Sequence, residues 1–333
     1  MSYLSRIYKL LLSIKNPPQF LYHVCHYLNV FVPLSVAKRI QKRNRREFIK
    51  SGDFVLDTYD GSSQSVHPDL TLYKDKLWLS ITPYPYGMEE YENPCVYVGS
   101  RLDDLRVESA PLIRQSKHKQ GYHLSDPCIA SNSKYLFCFY RETIRLGLGK
   151  ERNTIFAIRY SEDSKKWEEP IELFTSSDDA ILSPAFIFDK RDNCLMYYVS
   201  RVNGLYTLKC RYFADSFNYI REREYVVDGV PEGYMLWHIA IVYKDTHDKH
   251  EVESSSLEGL FLVFNETSKN DLRLLDVVYD QETNIWRVNG EVNIPEQARD
   301  EVRFLYKSCF IPETKKVLLS YRDKKNRNRL IVN

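Results

Sequence analysis

The sequence predicts an all-β chain, a five-bladed β-propeller with a short α-helical N-terminal extension, and three observations carry that expectation. Aromatic residues make up 14% of the 333, with 25 Tyr, and such side chains fit a pleated, half-buried surface better than a helix. A polar residue entering an apolar strand recurs at Asp69, Asp126, Ser183, His238 and Lys307, at intervals of 57, 57, 55 and 69 residues. Each recurrence opens a unit of about four strand-like runs, and four strands repeated five times make a propeller. Such a unit cannot bury both faces alone, so radial stacking supplies the core.

Residues 1–50 come first and read differently. They hold ten Lys/Arg against one acid, Glu47, a charge of +9, which leaves −7 for the other 283 residues of a chain whose net charge is +2. Apolar residues at Tyr3, Leu4, Ile7, Leu10, Leu11 and Ile14 follow a helical period. Asn16-Pro17-Pro18 ends that helix, and an apolar stretch over 19–32 leads to the cluster Lys38-Arg39, Lys42-Arg43, Arg45-Arg46. With no run of 18 uninterrupted apolar residues, a membrane-spanning helix is not expected. A secretory signal is not expected either, because no small-residue cleavage site follows the first apolar run. Two roles fit a basic amphipathic extension: docking on an anionic membrane surface or an assembly partner, or packing on its own domain. An acidic remainder argues against nucleic acid.

Unit one is Val66-His67-Pro68-Asp69-Leu70, then strands over 76–81 and 95–98, joined through Tyr91-Glu92-Asn93-Pro94. Unit two opens on Leu124-Ser125-Asp126-Pro127, continues over 135–142, and closes with strands over 154–160 and 167–173. Unit three opens on Leu182-Ser183-Pro184-Ala185 and continues over 195–201. Unit four opens on Leu236-Trp237-His238 and continues over 259–264, the polar stretch 244–258 between them reading as a surface loop. Unit five opens on Tyr306-Lys307-Ser308 and continues over 317–322. Seven cysteines, none in a Cys-x-x-Cys pair, give no zinc signature and suit a reducing cytoplasm.

In a propeller the innermost strands start around one mouth of the channel, so the unit-opening residues converge there. The expected pocket takes His67, Asp69, Ser125, Asp126, Ser183, Trp237, His238 and Lys307 from the inner strands. Glu92 and Asn93 come from the first unit's loop, and Arg141, Glu142, Arg201 and Arg322 from second-strand ends. Carboxylates, hydroxyls, a Trp and arginines suit a polyhydroxylated ligand that also carries negative charge. The plainer alternatives are a hydrogen-bonded turn for His67, a core role for Trp237 and solvated strand ends for the arginines.

The strand-initial Asp69, the Ser125-Asp126-Pro127 motif and the five-unit count make residues 60–333 resemble the five-bladed glycoside hydrolase superfamily, families 43, 32, 62, 68 and 130 among them. That resemblance implies Asp69 as general base or nucleophile, Asp126 as a carboxylate tuning the acid, and a Glu in blade three as the acid. Ser183-Pro184-Ala185 stands at the last position, and a serine does not protonate a leaving oxygen at neutral pH. Hydrolysis needs two carboxylates flanking the bond, so Glu142, Glu92 or Asp126 would have to serve as acid. Transfer or phosphorolysis, with a phosphate leaving group, would use the arginines instead. Some relatives hold a channel calcium, but no dense carboxylate set is visible here, and neither a metal nor another cofactor is expected. Residues 13–32 also resemble helical leaders of bacterial capsule and lipopolysaccharide biosynthesis enzymes. The sequence reading is thus a carbohydrate-active enzyme of surface polysaccharide biosynthesis, cytoplasmic or at the inner membrane. A non-catalytic glycan-binding or scaffold propeller is the alternative.

Overall fold

Each blade begins at the channel and steps outward by antiparallel hairpins. In the computed structural model, residues 13–28, 30–114, 121–147, 150–177, 179–244, 256–268 and 270–333 are described. The helix expected over 3–14 and the loop expected over 244–258 lie mostly outside them. Blade one is β1 (Ser65–Tyr73), β2 (Lys76–Pro83), β3 (Cys95–Gly99) and β4 (Arg106–Ser109), paired in that order. Lys74 and Asp75 turn β1 into β2 with φ of 50° and 58°, the twist that suits a two-residue hairpin.

Blade two is β5 (Tyr122–Ser131), β6 (Leu136–Gly147), β7 (Lys150–Ser161) and an outer strand split into β8 (Lys166–Trp167) and β9 (Ile171–Ser176). Pro170 lies in that split, where a residue without an N–H interrupts a ladder. Blade three is β10 (Ala180–Phe188), β11 (Cys194–Val202), β12 (Leu205–Phe213) and β13 (Tyr219–Asp228). Blade four is β14 (Tyr234–Tyr243), β15 (Leu257–Asn265), β16 (Leu272–Asp280) and β17 (Ile285–Glu291). The outer strands β13 and β17 pair in parallel and join these two blades into one eight-stranded sheet.

Blade five is closed by both ends of the propeller. Its inner strand comes in two pieces, β18 (Val302–Leu305) and β19 (Cys309–Phe310), both on β20 (Val317–Asp323), and β21 (Asn328–Val332) pairs with β20. Phe54, upstream of blade one, then bridges β21 by donating its N–H to Leu330 O at 2.8 Å. A buried ion network pins that closure. Asp53 accepts from Tyr321 Oη (2.8 Å) and from Arg329, and Asp323 accepts from Arg327 Nε (2.9 Å) and Arg329 Nη1 (3.5 Å).

Aromatics pack between blades, as the composition implies. Phe139 and Phe186 stack at 3.8 Å between blades two and three, and Trp286 lies fully buried against Tyr197 and Phe261. Each such ring removed from water contributes about 2–3 kcal/mol.

Before the propeller come α1 (Pro17–Tyr27), opened by prolines at its first positions, and α2 (Leu34–Lys50). Helix α2 buries the stripe Ala37, Ile40, Asn44 and Phe48 and turns Lys38, Arg39, Lys42, Arg43, Arg45 and Arg46 to solvent. Tyr22 Oη donates to Asp60 O at 2.7 Å and Asn44 Nδ2 to Ser62 O at 2.8 Å. Glu47 pairs with Arg327, and Phe48 lies 5.0 Å beneath both Arg327 and Arg329. The described part of the extension therefore packs on its own propeller. Among the described residues no helix is long and apolar enough to cross a membrane.

Candidate functional site

The inner strands share one irregularity. Register breaks fall between Val66 and Asp69 in β1, Ser125 and Cys128 in β5, Leu182 and Ala185 in β10, and Leu236 and His238 in β14. In the first three the break holds a left-handed residue followed by proline: His67 (φ 54°), Asp126 (φ 50°) and Ser183 (φ 47°), before Pro68, Pro127 and Pro184. Proline withholds a ladder donor, and a bulge re-aims the side chain beside it. In blade five the gap between β18 and β19 falls on Tyr306-Lys307-Ser308. The five breaks gather His67, Asp126, Ser183, His238 and Lys307 into one ring, each at most 6% exposed.

This register corrects the blade-one marker: the residue equivalent to Asp126 is His67, not Asp69. Asp69 lies two positions further along β1, where its carboxylate accepts from Ile129 N at 2.9 Å and ties blade one to blade two. Burial pushes that carboxyl up, against the pull of Lys307.

Asp126 is the ring's carboxylate. Its Oδ2 receives Arg141 Nη2 at 2.8 Å and lies 3.4 Å from Ser125 Oγ, which in turn accepts from Arg141. Its Oδ1 lies 3.5 Å from His67 Nδ1 and 3.9 Å from His238 Nδ1. Burial, the largest single influence, favours the neutral acid, but the Arg141 guanidinium together with His67, His238 and Lys307 outweighs it and holds the carboxyl well below the usual range. Burial pulls His67 down to about 4 against Asp126, and pulls His238 well below the ordinary imidazole value. Ser183 is a strut: its Oγ donates to Ile239 O at 3.3 Å and accepts from Ile239 N at 3.1 Å.

Lys307 runs into the channel and donates to Pro127 O (3.2 Å) and Pro184 O (3.4 Å). Burial opposes its charge, but Asp69, Cys128 and Asp126 hold its ammonium above the ordinary value. The channel calcium raised by the sequence resemblance does not fit there, because the Lys307 ammonium already occupies the carbonyls.

The remaining expected residues divide. Trp237 is half-buried, stacked on His238 at 5.4 Å with edges toward Phe264 and Phe304. Arg322 lies over Tyr84 and Tyr306 at 5.5 and 5.3 Å and donates to Asn328 Oδ1. Glu92 is buried, and burial, then Asp126 and Glu89, push its carboxyl well above the usual range. Three residues do not join the ring. Glu142 follows Arg141 on β6, so strand alternation turns it to the opposite face from the Arg141 that reaches Ile181 O. Opposite the bulge in blade three stands Val199, which leaves Arg201 two residues further out, exposed and 3.7 Å from Glu151. Asn93 is committed to the backbone of Ile113, donating to its O and accepting from its N.

Several contributors escaped the sequence reading. Tyr306 packs edge-on to His67 at 5.9 Å, Thr82 Oγ1 lies 3.4 Å from His67 Nδ1, and Tyr84 meets Tyr306 at 5.9 Å. Thr82 was the findable one: it sits opposite the blade-one bulge, as Arg141 does in blade two.

No protein-family model matches the sequence, and a search of curated proteins finds no match. Solved structures do match. A xylan β-1,4-xylosidase from Bacillus halodurans superposes with a TM-score of 0.60 at 10% identity, over 81% of this chain and 52% of that one, so this chain spans about half its length. A family-43 endo-arabinanase from Bacillus licheniformis gives 0.53 at 10% identity, over 81% of this chain and 93% of that one. A Cellvibrio cellulosa α-L-arabinanase, solved with arabinohexaose, gives 0.52 at 12% identity, over 81% and 91%. The fold is that of the propeller glycoside hydrolases, in a divergent sequence.

Proposed function

We propose that this chain is a carbohydrate-active protein of glycoside hydrolase type that takes a saccharide at the channel mouth. The observation that carries this reading is the convergence of five inner-strand breaks, four register shifts and one strand gap, on one polar ring. Trp237, Tyr84 and Tyr306 stand beside it, and aromatic faces next to hydroxyl, imidazole and guanidinium groups suit a sugar. The arabinohexaose complex of a structural neighbour supports a glycan ligand. In this reading residues 51–333 handle the saccharide and residues 1–50 form a basic helical extension. The exposed basic face of α2 supports contact with an anionic surface or an assembly partner. Seven buried, unpaired cysteines suit a reducing compartment.

For chemistry, Glu92 replaces the acid that blade three lacks, because a buried carboxyl kept protonated is what protonation of a leaving oxygen requires. Transfer to or from a phosphate, and with it a role in polysaccharide biosynthesis, has weaker support. Arg201 is exposed, Arg141 is bound to Asp126, and Lys307 is bound to carbonyls.

The test is a binding and turnover panel of oligosaccharides, sugar phosphates and sugar nucleotides. Trp237→Ala should weaken oligosaccharide binding at least tenfold, and Glu92→Gln should abolish hydrolysis with binding kept. Binding without turnover in the wild type would leave a glycan-binding propeller. No oligosaccharide binding by the folded wild type would overturn the reading.

A further inference from the structure

We propose that His67, Asp126 and His238 form a binding site for one divalent first-row transition-metal ion, zinc foremost. The three side chains come from blades one, two and four, all are buried, and one ligand atom from each lies within 4.8 Å of the others. The decisive feature is their spacing. Asp126 Oδ1 stands 3.5 Å from one imidazole nitrogen and 3.9 Å from the other, beyond the roughly 2.7–3.2 Å of a hydrogen bond to nitrogen. Two ligands about 2.1 Å from a shared ion stand roughly 3.0–3.4 Å apart. Asp126 Oδ1 thus needs to close on each imidazole by only about half an ångström or less around an ion, and the two imidazole nitrogens lie within 4.8 Å of one another.

Two further observations point the same way. Asp126 Oδ1 and His238 Nδ1 are buried and find no hydrogen-bond partner among the described residues, an arrangement that costs stability unless something fills it. The other carboxylate oxygen, Oδ2, is held by Arg141 beside Ser125, which aims Oδ1 at the imidazoles much as outer partners orient a ligating carboxylate.

The donor set selects the ion. Two imidazoles and one carboxylate oxygen suit zinc and its neighbours, whereas calcium takes six to eight oxygens. Arg141 and Lys307 stand close, so an ion here works against two fixed cations, which weakens its binding. Three protein ligands leave one position open to water or to a substrate oxygen. The site stands whether or not the mouth takes a saccharide.

The test uses the full chain after chelator treatment, titrated with Zn²⁺ by calorimetry and with Co²⁺ by absorption spectroscopy. One ion per chain is expected, with a Co²⁺ spectrum of nitrogen and oxygen ligation and no thiolate charge-transfer band, which separates this site from the seven cysteines. Asp126→Asn and His238→Gln should each weaken binding at least tenfold, with folding checked by circular dichroism in chelator. Should both variants unfold, anomalous scattering from a Zn²⁺-soaked wild-type crystal decides, with a peak among the three side chains expected. No saturable binding by the wild type, a thiolate band, unchanged affinity in the folded variants or an anomalous peak elsewhere would each overturn the site.

Discussion

Two regions of this molecule bury carboxylates beside arginines, and they are built differently. At the closure of blade five, Asp53 and Asp323 share Arg327, Arg329 and the Tyr321 hydroxyl, and α2 adds Glu47. At the channel mouth Asp126 has Arg141 on one oxygen, while its other oxygen lies 3.5 and 3.9 Å from two imidazole nitrogens and accepts no hydrogen bond from the described residues. A buried network with its members satisfied locks a structure, whereas one with open valences has room for a ligand. The difference separates a fastener from a site, although both would score alike on burial and charge.

The largest expected effect is at the fastener. Arg329→Met leaves Asp53 buried without its cation, and breaking a buried pair from one side costs about 3–5 kcal/mol. Chemical denaturation measures this, and a loss below about 1 kcal/mol would break the comparison.

Asp60 tests the opposite extreme, a buried carboxyl that forms no ion pair among the described residues. Around it stand the phenols of Tyr22, Tyr59, Tyr86, Tyr91 and Tyr97 and the Cys95 thiol, all uncharged at neutral pH. Burial pushes its carboxyl up to about 6, against the Thr58 and Ser62 hydroxyls. The native state therefore keeps a proton that the unfolded chain gives up near pH 4. Stability from this group is full below about pH 4 and falls by roughly 3 kcal/mol as pH rises to about 6, at 1.36 kcal/mol per pKa unit. Melting curves of wild type and Asp60→Asn across pH 4–7 check it, and Asp60→Asn should flatten the profile.

Asp126→Asn should cost less than the fastener variant, about 1–2 kcal/mol, because Arg141 keeps Ser125 Oγ and Ile181 O. A cost equal to that of Arg329→Met would mean the mouth is a fastener too. The smallest effect is at the helical extension. Tyr22→Phe removes one hydrogen bond to Asp60 O and should cost about 1 kcal/mol, measured by the same denaturation series.

Much of the fold is written in the chain because blades repeat, so five polar entries to apolar strands suffice to count them. The blade-one error shows where chemistry misleads. Asp69 looks like a catalytic carboxylate, but the informative residue was the proline one place after His67, Asp126 and Ser183. That offset puts His67 in the ring and would have paired it with His238 as a second imidazole. Strand alternation could likewise have separated Arg141 from Glu142. What no local pattern shows is the closure, because Phe54 joins β21 by a single bridge and its ion network draws on residues far apart in sequence.

That closure also sets a timetable for making the protein. Asp53 and Arg329 are 276 residues apart, so the pair cannot form until the intervening chain has been synthesised. At about 5–20 residues per second that takes roughly 15–55 s. For that time the blades already made stand on the ribosome as an open arc, and the full set of four waits only for the stretch from the end of β17 to β21. The arrival of β21 is what closes that arc.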